Sequence, residues 1–134
     1  VRWSAEQMFS LVNDVEAYPE FLHWCSGARI LRREGNVIMA EIDVRFAGVR
    51  QSFSTRNTLE EPHRIVISLL NGPFRRLDGD WTFTDSRSGG CSIELSLEFA
   101  VALTPLGFLL SRVFEEIAAS QMDAFIKRAR KVYG

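Results

Sequence analysis

The side chains best suited to chemistry in this sequence are two histidines, two cysteines and one polar pair set among apolar neighbours. His23 and His63 lie far apart in the chain, each beside a turn. Neither falls in a Ser-His-Asp order, a metal-ligand spacing or a phosphate-cradling glycine loop. Cys25 and Cys91 form no CxxC pair. A metal site is therefore not expected, and both thiols are expected reduced, as in a cytosolic protein. With no catalytic constellation apparent, the residues point to binding before catalysis. The polar pair is more informative. In the alternating run from Val49 to Thr58, the face that carries Val49 and Phe53 also carries Gln51 and Thr55. A buried amide or hydroxyl without a partner costs roughly 1–3 kcal/mol. Protein groups, water or a ligand's acceptor atoms must satisfy these two.

Such a pair needs a sheet to hold it, and the chain spells one out. Ile38, Ala40, Ile42, Val44 and Phe46 alternate with Met39, Glu41, Asp43 and Arg45, the period-two pattern of a strand with one wet face. Segments at 28–33, 49–58, 65–70, 76–84 and 92–101 read the same way. With short links between them, six strands make an antiparallel meander. Helices flank it. Ser4-Ala5-Glu6-Gln7 is a capping box that opens a helix carrying Met8, Leu11, Val12 and Val15 on one side. Pro19 forces a turn and is expected to start a second, short helical turn. At the far end Thr104 and Pro105 suit a helix cap and first position. The apolar residues Leu110, Val113, Phe114, Ile117, Ala118, Met122 and Phe125 then recur at helical spacing towards Val132.

The fold class expected is α+β: a curved antiparallel sheet wrapped around a long C-terminal helix. A bent sheet and one helix rarely mesh along their whole length, so a tunnel between them is the expected binding site. Phe53, Trp81, Phe83, Phe114, Ala118 and Met122 should point inward, as core or as tunnel lining. Gly79 and Ala118 are small enough to leave room. Phe21, Leu22, Trp24 and Phe74 fall in turns, as a lip at the tunnel mouth or as a packing plug, and Tyr18 offers a hydroxyl nearby. Net charge is −1, with 46% hydrophobic and 25% charged residues, so no global field draws the chain to DNA or an acidic surface. Local basic clusters exist at Arg29, Arg32 and Arg33, at Arg75 and Arg76, and from Lys127 to Lys131. No apolar run approaches the roughly 20 residues of a membrane span.

Several segments together resemble one known family. They are Val12-Asn13-Asp14-Val15-Glu16-Ala17-Tyr18-Pro19-Glu20-Phe21-Leu22, Trp24-Cys25-Ser26-Gly27-Ala28, Gly72-Pro73-Phe74-Arg75-Arg76-Leu77-Asp78-Gly79-Asp80-Trp81-Thr82-Phe83 and the terminal Phe125, Arg128, Ala129, Val132, Tyr133 and Gly134. Their order and spacing resemble the RatA and coenzyme Q-binding family of the START-like, helix-grip superfamily (SRPBCC, polyketide cyclase/dehydrase). The resemblance implies one START-like domain over 1–134, with a first strand truncated before Val1. It implies first a binder of ubiquinone or a related polyprenyl quinone that supports respiration. Such a protein would lie in the cytoplasm near the inner membrane, with transient membrane contact. Gln51, Thr55 and Tyr18 would then meet the quinone head group. Each five-carbon tail unit buried is worth roughly 2–4 kcal/mol before costs. It implies second a ribosome association toxin that binds the 50S ribosomal subunit and blocks 70S formation, and third a polyketide cyclase-like enzyme.

Overall fold

The computed structural model describes residues 1–134. Helix α1 spans Ala5–Asn13, a 3₁₀ turn spans Val15–Glu20, and six strands follow: β1 (Cys25–Glu34), β2 (Val37–Phe46), β3 (Val49–Glu60), β4 (Arg64–Asn71), β5 (Phe74–Asp85) and β6 (Cys91–Val101). Helix α2 runs over Pro105–Tyr133. The strands form one antiparallel sheet in sequence order, which is the meander that short links dictate. The α+β START-like architecture expected from the sequence is the one observed.

Local signals explain the boundaries. The Ser4–Gln7 capping box is formed in both directions. Pro19 lies inside the 3₁₀ turn rather than at its start, because the turn begins at Val15. Thr104 Oγ1 accepts the Gly107 amide 3.0 Å away and caps α2. Ala47 and Gly48, both at positive φ, make the tight β2–β3 hairpin whose twist matches the strands.

The sheet bends around α2. Register shifts interrupt β1 against β2 at Cys25/Gly27 and Ile30/Arg32, β3 against β4 at Ser54/Thr55, and β5 against β6 at Phe74/Arg76. An extra residue on one strand of a pair curves it and strengthens its twist. The shift at Ser54/Thr55 also explains why these neighbours are both buried when alternation would expose one. Gly79 serves the same bend. A Cβ there would sit 2.0 Å from the Ser96 carbonyl oxygen, so only glycine allows β5 to approach β6 so closely.

The concave face and α2 enclose the core. Phe83, Phe125, Met8 and Leu22 are its most deeply buried large side chains. Phe83 packs edge-on against Phe9 of α1, 5.7 Å between ring centres, and lies parallel to Trp81. Ion pairs lace the outer face, among them Arg64–Asp80 at 2.8 Å and Arg76–Glu98 at 2.7 Å. No helix is long and apolar enough to cross a membrane.

Candidate functional site

The helix and the sheet do not close completely. Between them lies a cavity of about 100 Å³ lined by 17 residues, 14 of them hydrophobic. Helix α2 supplies Phe114, Ile117, Ala118 and Gln121, the i, i+3, i+4, i+7 spacing of one helical face. The strands supply Ala40, Ile42, Phe53, Thr55, Asn57, Ile67, Leu77, Trp81, Leu95 and Leu97; Val15, Tyr18 and Trp24 close the side towards the 3₁₀ turn. Tyr18, Trp24, Phe53, Thr55, Trp81, Phe114 and Ala118 are thus brought together as the sequence suggested.

Six other expected residues lie elsewhere. Phe83 is two positions beyond Trp81, under α1 and sealed in the core. Gly79 serves strand approach and lines nothing. Met122 sits half-buried at the edge of the α2 stripe, packed against the core. Phe74 and Gln51 face a second space of only about 10 Å³. Phe53, Phe114 and Ile117 line both that space and the cavity. Phe53, Phe74, Phe99 and Phe114 interlock there with ring centres 4.8–6.2 Å apart and plug that end. Phe21 flanks a different groove. Of the two roles expected for this segment, lip or packing plug, Leu22 and Trp24 take the plug, at 1% and 5% exposure. Among the large apolar side chains that do face solvent, Leu103, Leu106, Phe108 and Leu109 cluster around the start of α2.

The polar groups of the cavity mostly satisfy one another. The Thr55 hydroxyl donates to Asn57 Oδ1 at 3.0 Å, and the Trp24 indole N–H donates to Gln121 Oε1 at 3.2 Å. The Tyr18 hydroxyl donates to the Val12 carbonyl and is not free for a head group. Burial pushes its phenol well above the usual tyrosine range. Gln121 and Asn57 were missed as site residues, yet both carried a signal. Gln121 interrupts an apolar helical stripe, and Asn57 continues the Gln51, Phe53, Thr55 face.

Cys25 and Cys91 are buried and unpaired. Burial pushes the Cys25 thiol up to about 11, so at neutral pH it is protonated and a poor nucleophile.

Residues 1–126 match a known family model, described as polyketide cyclase/dehydrase and lipid transport. The chain belongs to that family. Within it, the chain is 43% identical to the ribosome association toxin RatA of Escherichia coli, over 99% of this chain and 84% of the relative. It is 44% identical, with the same coverage, to the persistence and stress-resistance toxin PasT of an uropathogenic strain of that species. Identity to the mitochondrial coenzyme Q-binding protein COQ10 homolog B of Xenopus laevis is 28%, over 98% of this chain and 56% of that protein. The crystal structure of an aromatase/cyclase from a Streptomyces species superposes with a TM-score of 0.87 over 100% of this chain and 91% of that one, at 16% identity. That last likeness is one of fold.

Proposed function

We propose that this chain associates with the ribosome as a RatA-type factor, and that its cavity holds a slim apolar chain. The observation that carries the first part is the identity: 43% to RatA against 28% to the coenzyme Q-binding protein. That reverses the order expected from the sequence, where quinone binding led. The charged surface supports the reading in a place the basic clusters did not suggest. Arg29, Arg32 and Arg76 are each engaged by carboxylates. Arg45 and Arg50 take part in none of the ion pairs, as is also true of Arg33, Arg75 and Lys127, but they stand directly opposite each other on β2 and β3. Like charges facing across strands are destabilising, and RNA phosphates would relieve them. The test is co-sedimentation with purified ribosomal subunits at moderate salt. Association with the 50S subunit and loss of 70S particles supports the proposal; a chain that remains at the top of the gradient overturns it.

The apolar-ligand reading rests on the cavity. At about 100 Å³ it is smaller than the ~150 Å³ that accommodates benzene. It therefore suits the end of a chain; a substituted quinone ring would require the lining side chains to rearrange. Organic extraction of the purified protein followed by mass spectrometry checks this. Near-stoichiometric ubiquinone would restore quinone carriage, in the cytoplasm beside the inner membrane, as the main role. A protein that is empty and takes up no added quinone or alkyl chain would remove the ligand reading.

We read the chain as a binder and not a catalyst because the polar groups at the cavity are Thr55, Asn57 and Gln121, which do not titrate, and Tyr18, whose proton is held by burial. Cyclase-like turnover on polyketide-like substrates, dependent on one titrating side chain, would overturn that.

A further inference from the structure

A second recess lies on the other side of Trp24. It is a groove of about 390 Å³ between the 21–24 segment and the last turns of α2. Its walls include His23, Ser120, Lys127, Arg128 and Lys131, against one carboxylate, Asp123. Complementing the α2 dipole accounts for cations in the final turn, but Lys127 and Arg128 stand before it and gather towards His23. Arg128 is the unusual member. Its side chain is only 15% exposed, its guanidinium lies over the Phe21 ring at 5.0 Å, and its one ion-pair partner is the largely exposed Glu20 at 3.6 Å. Its Nε is buried with no hydrogen-bond partner. A buried N–H is normally satisfied, and a planar guanidinium is matched by the paired oxygens of a phosphate or carboxylate.

Trp24 belongs to both recesses: it lines the apolar cavity and the basic groove. It is the one residue common to both linings, and its indole is hydrogen-bonded to Gln121. An apolar cavity of about 100 Å³ next to a larger cationic groove of about 390 Å³ fits a molecule with a thin tail, whose end the cavity takes, and an anionic head. We propose that the groove binds the phosphate head of a single-chain amphiphile whose tail enters the cavity past the Trp24–Gln121 pair. This rests on the reading that the cavity takes an apolar chain, and it departs from a neutral quinone as the ligand.

The test titrates the intact chain at low salt with decyl phosphate, decanol and inorganic phosphate, followed by calorimetry and by the Trp24 indole N–H resonance. Decyl phosphate is expected to bind at least tenfold more tightly than decanol, with both shifting the Trp24 signal, and inorganic phosphate far more weakly than either. Lys127→Gln with Lys131→Gln, both at exposed positions, should cut the preference for phosphate over alcohol about tenfold and leave decanol binding unchanged. Arg128→Gln should cut it further. Equal affinity for decyl phosphate and decanol would overturn the head-group assignment while leaving the cavity reading intact. Binding of neither would overturn both. Inorganic phosphate binding as tightly as decyl phosphate, with the Trp24 signal unmoved, would make the groove a site for phosphate alone and equally overturn the proposal.

Discussion

Enlarging Ala118 should make the protein more stable and unable to take up a chain. Ala118 lines the cavity on the same face of α2 as Phe114 and Gln121. Ala118→Leu adds three carbons to a space of about 100 Å³. At roughly 0.8 kcal/mol per buried methylene they stabilise by about 2.4 kcal/mol. Ordering the new side chain offsets about 0.5–1 kcal/mol of that. The net is a gain of about 1.5 kcal/mol, or about 5 °C in Tm for a domain of this size. Thermal and urea unfolding measure that gain. The change in Trp24 and Trp81 emission on binding, both residues lining the cavity, reports uptake of decanol, which should weaken more than tenfold. A loss of stability above about 1 kcal/mol with uptake unchanged would mean that the site is already filled and overpacked, and would refute the reasoning.

Other substitutions probe the frame and the polar groups. Gly79→Ala places a Cβ 2.0 Å from the Ser96 carbonyl oxygen and should destabilise by about 2–3 kcal/mol, read from the urea midpoint. Thr55→Val removes the hydroxyl that donates to Asn57. It should cost about 1 kcal/mol and leave chain uptake intact, whereas a tenfold loss of ligand affinity would reinstate Thr55 as a head-group donor. Cys25 gives a pH dependence of definite sign. Its folded value is pushed up to about 11 from the ordinary 9.0. Between those values the unfolded chain has lost the proton and the folded chain keeps it, so stability falls as pH rises from 9.0 towards 11. Cys25→Ala should flatten that slope in a series of urea midpoints, and an unchanged slope would show that Cys25 is not its source.

The elements were legible because their signals are local. Strict alternation from Ile38 to Phe46, the Ser4–Gln7 box and the Thr104–Pro105 cap each depend on neighbouring residues only. The site was legible where the inward face of an element was clear, as for Phe53, Trp81 and Phe114. It was not legible where the outcome depends on how far a helix reaches along a curved sheet. Phe83 and Trp81 share a strand face, yet α1 covers only Phe83. Met122 and Ala118 share the α2 stripe, yet only Ala118 faces the cavity. Gly79 reads as a gap in sequence because the close approach of β6 is a long-range fact. Trp24 reads as an exposed turn residue because its partner, Gln121, lies on the last element of the chain.

The ribosome assignment meets its most direct test in a sucrose gradient that compares the wild-type chain with Arg45→Glu/Arg50→Glu on ribosomal subunits over a range of salt. Both positions lie on the β2–β3 hairpin away from the cavity residues, so folding and chain uptake should be unchanged. The account predicts that the wild-type chain sediments with the 50S subunit, and that the double variant is displaced with its salt dependence shallower by about two phosphate contacts. A wild-type chain that never leaves the top of the gradient would contradict ribosome association; equal binding by the two proteins would contradict the placing of its contact surface at Arg45 and Arg50.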